Sequence, residues 1–303
     1  MGEPSGEAPP VRRSGFVVLA GRPNVGKSTL LNALVGRKVA PVARVPQTTR
    51  RVLRGVRHSG EVQVVLVDTP GLHKPRTELG RHLNRQVIEQ LSGVDLAVVV
   101  VDAAAGIGAG DRHVAGRVAE AGVPAIGVLN KLDLVDRPRQ LPLLEELAGL
   151  ADFDELVPVS ARTGEGVDVL ARLVEERMPP GPPWFPEGQA TDADEAELVG
   201  ETIREQAIEM FRDELPHSIA VVVDEIAPGT SEGVVVVRAT VHVERESQKP
   251  IVIGRGGERL RDVGRRARER LEPLLGARVW LDLRVKVTPD WQRDAGAIER
   301  LGL

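Results

Sequence analysis

The chain has 303 residues, 42% of them hydrophobic and 28% charged, with a net charge of -4 and an isoelectric point near 6.0. That is enough chain for two ordinary soluble domains, and it excludes overall charge as a source of nucleic-acid affinity, which would have to come from a local basic patch. Cysteine is absent, which excludes disulfides, Cys-ligated zinc, iron–sulfur clusters and thiol catalysis and is compatible with a reducing compartment.

Residues 1–14 are rich in Gly, Pro and Glu, carry Arg12 and Arg13, and lack the apolar core of a secretory signal, so they read as a flexible tail. From 15 to 178, short β-branched runs alternate with helical patterns, as in a mostly parallel sheet with helices on both faces. Strands are expected at 16–20, 52–57, 62–67, 96–101, 125–129 and 156–159, several of them apolar throughout, as strands buried on both faces should be. The longest apolar run, 96–101, lies between Asp95 and Asp102 and is far too short to span a membrane. At 179–194 five prolines precede an acidic run, which reads as a semi-rigid linker. Beyond it, from 195 to 291, the order changes to a long helix, two strands, a glycine turn, a helix and a last strand. This is a separate α+β domain, and 292–303 is taken as a C-terminal tail.

Ligands of such sheets bind at the carboxyl ends of the strands, where the motifs fall. Gly21-Arg22-Pro23-Asn24-Val25-Gly26-Lys27-Ser28 fits GxxxxGK[ST] between a strand and a helix, the context of a phosphate-binding loop. Backbone N–H groups close around phosphate oxygens, Lys27 reaches the β- and γ-phosphates, Ser28 ligates Mg²⁺, and Thr29 continues the loop into the helix. Asp68-Thr69-Pro70-Gly71 ends the third strand, so Asp68 can hold Mg²⁺ through water while Gly71 lets the backbone approach the γ-phosphate. Asn130-Lys131-Leu132-Asp133 ends the fifth strand. The Asp133 carboxylate can accept from guanine N1–H and the 2-amino group, whereas adenine offers no matching donors, so GTP is preferred over ATP. Ser160 and Ala161 complete the pocket, with the Ala161 N–H directed at the guanine carbonyl.

These four elements in this order resemble the translation-factor-like class of small GTPases. The segment Pro46-Gln47-Thr48-Thr49-Arg50 is basic and without strong structural pattern, as a switch loop would be, with Thr49 as the choice for completing Mg²⁺ coordination and Thr48 as the alternative. Lys27, Thr49, Asp68 and Gly71 are thus the expected catalytic set. Leu72 stands where Ras-like proteins carry the glutamine that orients water, which implies slow intrinsic turnover. Asn24 matches the residue that in some relatives helps coordinate K⁺ beside the phosphates.

In the second domain Gly254-Arg255-Gly256-Gly257 is a GxxG turn between an apolar segment and a helix, the device by which a KH domain clamps about four single-stranded nucleotides. Residues 255–270 hold seven arginines against three acidic residues, with Arg255, Arg259, Arg265 and Arg266 as phosphate contacts and Val263 and Ala267 facing the core. Helix and strands before the GxxG and a strand after it suit the type II KH topology. Trp280 is expected to pack within the last strand, and Trp291 either stacks on a base or caps the core.

With both halves in view, GRPNVGKSTLLNAL, PQTTR, DTPGLHKP, NKLDLV, PPWFPE, ELPHSIAV and VERESQKPIVIGRGGERL mark the chain as similar to the Era family of bacterial ribosome-assembly GTPases over roughly 14–291. The resemblance implies a GTP hydrolase that uses Mg²⁺, a type II KH domain, binding near the 3′ end of small-subunit ribosomal RNA, and a role in maturing the small ribosomal subunit coupled to the GTP state. It also implies a cytoplasmic monomer with peripheral membrane contact at the inner face. Two other readings share the nucleotide site: a switch GTPase serving RNA modification or transport, and an RNA-binding protein that keeps GTP as a structural ligand. The GxxG domain argues against the first.

Overall fold

The computed structural model describes residues 12–40, 42, 52–72, 75, 77–211, 215 and 218–303. In the first domain β1 (Arg13–Ala20), β2 (Leu53–Ser59), β3 (Val62–Asp68), β4 (Leu96–Asp102), β5 (Ala125–Asn130) and β6 (Glu155–Pro158) form one sheet in the order β2-β3-β1-β4-β5-β6. Only β2 runs antiparallel to its neighbour; the other pairings are parallel. All six expected strands are present. β4 is buried at every residue, which explains its unbroken apolar run.

Alternation along β1 feeds two layers. Val17 and Leu19 pack with Leu30, Leu31 and Leu34 of α1 (Lys27–Val35) and Leu170 and Val174 of α5 (Val167–Glu176). Val18 and Ala20 pack with Val87 and Leu91 of α2 (Glu78–Leu91) and Val114 and Val118 of α3 (Ala109–Ala121). α4 (Arg137–Ala148) covers β5 and β6 through Leu147. β1 lies between β3 and β4, so its carboxyl end is the switch point at which a doubly wound sheet opens a crevice.

The second domain packs α6 (Glu195–Met210), α7 (Lys249–Ile253) and α8 (Glu258–Leu275) on one face of a sheet made of β7 (Ala220–Pro228), β8 (Val234–Val243) and β9 (Arg278–Val287). β7 is antiparallel to β8, and β8 is parallel to β9. Val263 and Ala267 of α8 are buried, as the helical period requires.

Three features depart from the sequence reading. The linker is not a bare spacer: the buried Gln63 side chain accepts from the backbone N–H of Trp184 and Phe185 and donates to the Phe185 carbonyl, and the Trp184 ring meets Phe16 edge-on at 5.3 Å. Residues 292–303 are folded, with α9 (Ala295–Arg300) capped by Asp294. Trp280 does not pack within the last strand but is 68% exposed, while Trp291 is fully buried, the core-capping alternative. Trp291 donates from Nε1 to the Ser218 carbonyl and packs with Ile298, Leu301, Ala220 and Leu79, so it joins both domains and α9. Trp291→Ala should lower unfolding free energy by about 3–5 kcal/mol in urea titrations, as expected for emptying a buried aromatic site; a loss below about 1 kcal/mol would show that this junction carries little stability.

Candidate functional site

The glycine loop after β1 leads into α1 with Lys27 as its first residue, so the helix N-terminus faces the crevice. Lys27 is buried, donates to the carbonyls of Gly21 (3.2 Å) and Arg22 (3.1 Å), and has its pKa lowered to about 8 by burial, partly opposed by Asp68. An ammonium so desolvated gains from a phosphate partner. Ser28 Oγ donates to Asp68 Oδ2 at 2.5 Å, which sets a hydroxyl and a buried carboxylate side by side where β3 ends. This all-oxygen donor set suits a hard divalent cation such as Mg²⁺.

Gly71 lies so close to the loop that a Cβ there would sit 2.3 Å from the Pro23 backbone nitrogen, which explains the glycine. The Leu72 N–H donates to the Gly21 carbonyl at 3.2 Å and the Leu72 side chain is buried among Val18, Val67 and Val87, pointing away from the crevice. Thr69 Oγ1 donates to the Leu19 carbonyl, which ties this turn to β1.

Asn130 is buried. Its Nδ2 donates to the Val25 carbonyl at 2.8 Å and its Oδ1 accepts from the Ala161 N–H at 3.0 Å. Lys131 has a left-handed backbone, and its Nζ donates to the Asn24 carbonyl and to Asp102, each at 2.6 Å. Asn24 is also left-handed and exposed, at the rim of the loop. Arg22 is committed elsewhere, its Nε on Asp111 and an Nη on the Gly106 carbonyl. Asp111 went unnoticed in the sequence, and Asp102 was read only as the flank of an apolar strand, although an aspartate ending such a strand was the available signal for a site role.

Asp133 accepts from Ser160 Oγ at 2.5 Å on one oxygen and pairs with Arg162 at 2.5 Å on the other. A guanidinium presents the same paired N–H donors as a guanine edge, so Arg162 occupies one oxygen of the carboxylate expected to read the base. Thr48 and Thr49 lie outside the described residues.

In the second domain the turn between α7 and α8 carries positive φ at Gly254, Gly256 and Gly257 (75°, 60° and 81°), a conformation that explains the glycines. Arg255 and Arg266 are exposed; Arg265 is exposed and pairs with Asp262 and Glu269. Arg259 is half-buried, donates to the Ile251 carbonyl and lies over the Phe211 ring, so its site braces the turn. Arg261, not among the expected contacts, donates to the Gly256 carbonyl and holds the turn from the outside.

Residues 16–131 match the family described as 50S ribosome-binding GTPase, and 214–292 match the KH domain family. GTPase Era of Mycobacterium sp. (strain KMS) is 50% identical over 296 residues, covering 96% of this chain and 98% of that one. The chain belongs to the Era family. GTPase Era of Mycobacterium tuberculosis (strain ATCC 25177 / H37Ra) is 49% identical over 297 residues, covering 95% and 98%. Among solved structures, Era in complex with MgGDPNP and nucleotides 1506-1542 of 16S ribosomal RNA superposes with a TM-score of 0.92 at 36% identity, covering 96% and 99% of the two chains. An Aquifex aeolicus Era variant bound to GDP.AlF4- gives 0.92 at 37% identity, with the same coverage. The chain is therefore a GTPase of Era architecture, a P-loop domain with a mostly parallel sheet followed by a KH domain.

If Asp133 reads the base, Arg162 competes with it for the same carboxylate. An exposed ion pair is worth about 0.2–1 kcal/mol, so Arg162→Ala should tighten GDP and GTP binding by about 1.5- to 5-fold in equilibrium titrations. Unchanged or weaker binding would mean that Arg162 does not compete with the base.

Proposed function

We propose that the chain is a GTP-driven switch that binds the 3′ region of small-subunit ribosomal RNA through its GxxG turn and assists maturation of the small ribosomal subunit. The observation that carries this reading is a direct contact between the second domain and the chain leading into the expected switch segment. Glu205 of α6 accepts from the Val42 N–H at 3.0 Å and pairs with Lys38 at 3.5 Å, so a helix of the second domain, ahead of the KH match, grips the chain just before the segment bearing Thr48 and Thr49. Glu205 is buried, and burial raises its pKa against the opposing pull of Lys38. Loss of Lys38 or of the Val42 N–H would push it further up, so a shift of either partner is felt in α6.

In this reading Lys27 and the α1 N-terminus hold the β- and γ-phosphates, Asp133 reads guanine, Ala161 donates to its carbonyl, and Asn130 keeps the three loops in register. Bound Mg²⁺, held by Ser28, the Asp68 side and the Thr49 or Thr48 hydroxyl, would neutralise the charge on the transferring phosphoryl group. Leu72 leaves no side chain to orient water, so hydrolysis by the free protein is slow and RNA or the ribosomal subunit sets the pace. Asn24 at the loop rim suits a K⁺ ion as the extra positive charge. Replacing potassium by sodium should then slow hydrolysis by about 10-fold or more, and equal rates in the two salts remove the ion from the scheme.

Binding of single-stranded RNA matching the small-subunit 3′ end, measured with GTP analogue and with GDP, tests the reading. The double variant Arg255→Asp, Gly256→Asp should lose binding in both states, because carboxylates in the turn repel phosphate. Glu205→Ala should keep RNA binding while the affinity ratio between the two nucleotide states falls towards one. RNA binding indifferent to the turn variant would leave a GTPase whose second domain serves another partner.

A further inference from the structure

The face of the C-terminal sheet turned away from its helices has two unlike halves. Strand register arranges it in rows: Ala220, His242 and Lys286; then Val222, Thr240 and Arg284; then, past a bulge between Val223 and Glu225, Glu225, Arg238 and Asp282; and last Ala227, Val236 and Trp280. In the first two rows the β7 side is covered, since Ala220 and Val222 pack with Trp291, Ile298 and Leu301 and with Leu79 and Leu83 of α2, while Arg284 and Lys286 on β9 stay exposed. The far half is bare. Trp280, at 68% exposure, is the most exposed large hydrophobic side chain among the described residues.

Its surroundings indicate what covers it. β9 is the edge strand of the sheet, paired only with β8, and its outward side chains Arg278, Arg284 and Lys286 are all exposed, against a single half-buried acid, Asp282. On the opposite side of the same strand Leu281, Leu283, Val285 and Val287 are only partly buried, and α7, which leads into the GxxG turn, packs against β9. β9 returns along α8 from its C-terminal end, where Val279 meets Glu272, so an extended polyanion leaving the turn meets Lys286 and Arg284 on the β9 edge first and Trp280 only at the far end of the strand. Indole faces stack on unpaired bases whatever their identity, and arginine and lysine neutralise the flanking phosphates.

We propose that the outward face of β9, Trp280 with Arg278, Arg284 and Lys286, is a second contact surface for the single-stranded RNA held at the GxxG turn, with one unpaired base stacked on the Trp280 indole. The proposal rests on the KH reading above and extends it beyond the roughly four nucleotides that such a turn clamps.

The test uses the full-length protein with a GTP analogue and two nested single-stranded RNAs, one of about four nucleotides and one of about twelve. Trp280→Ala should leave the short RNA unaffected and weaken the long one by about 5- to 100-fold, the range of one lost base–aromatic stack, with Trp280→Phe restoring most of the affinity. Arg284→Glu with Lys286→Glu should weaken the long RNA and flatten its salt dependence. In a Trp184→Phe background, which leaves only the buried Trp291 beside Trp280, the long RNA alone should quench the exposed fluorescence. Wild-type affinity for both RNAs in the Trp280→Ala protein would overturn the proposal, as would equal weakening of both, which places the effect in the turn or the fold. Failure of the underlying KH reading shows differently: the Arg255→Asp, Gly256→Asp protein would then bind the long RNA normally.

Discussion

The nucleotide site depends on one buried carboxamide. Asn130 donates to the carbonyl of Val25 in the phosphate loop and accepts from the N–H of Ala161 in the base loop, so loops after β1, β5 and β6 share a single anchor. Each partner is a backbone group that would otherwise lose a hydrogen bond in the interior, and an unpaired buried polar group costs about 1–3 kcal/mol. The spacing between these three loops is thereby set without any ligand. Lys131 adds a second brace from Asn24 to Asp102, which fixes the rim of the same crevice.

The joint between the domains is built differently. α6 is buried along most of its length, and its enclosed residues include Glu201, Arg204 and Glu205 as well as Val199, Ile203 and Ala207. Arg204 and Glu201 form a buried two-contact pair at 2.9 and 2.5 Å within α6, and Glu205 beside them reaches across to Val42 and Lys38. Such pairs add little net stability compared with well-packed apolar groups, but they are unforgiving of misplacement. A joint of this kind holds one arrangement firmly and gives way as a unit, unlike the apolar core of either domain.

How far the sequence was legible follows the physics of each part. Continuous apolar strands such as β4, and motifs whose residues meet at the strand ends, such as Ser28 with Asp68 and Asn130 with Val25 and Ala161, were readable because local pattern and tertiary placement agree. The Trp280 position was also written in the chain: in RVWLDLRVKV the apolar partners alternate from Val279, which puts Trp280 on the outward side with Arg278 and Asp282. The expectation weighed the hydrophobicity of the residue over the parity of the strand. α9 was missed because six residues give too little periodicity, although Asp294 ahead of Ala297 and Ile298 has the form of a helix start. Contacts such as Arg162 with Asp133, or Glu205 with Val42, join segments far apart or turn on loop closure, and no local pattern encodes them.

The proline-rich segment between the domains has a further consequence. β2 ends the large sheet, and its outer side is occupied by this segment: Val56 donates to the Ala190 carbonyl at 2.7 Å and Gly55 bridges Thr191. A bare edge strand is a template for pairing with another chain. The connector is thus also the sheath of that edge, and cleaving the first domain away at Met178 would strip it, leaving a fragment with an intact nucleotide site and a tendency to pair through β2 with copies of itself.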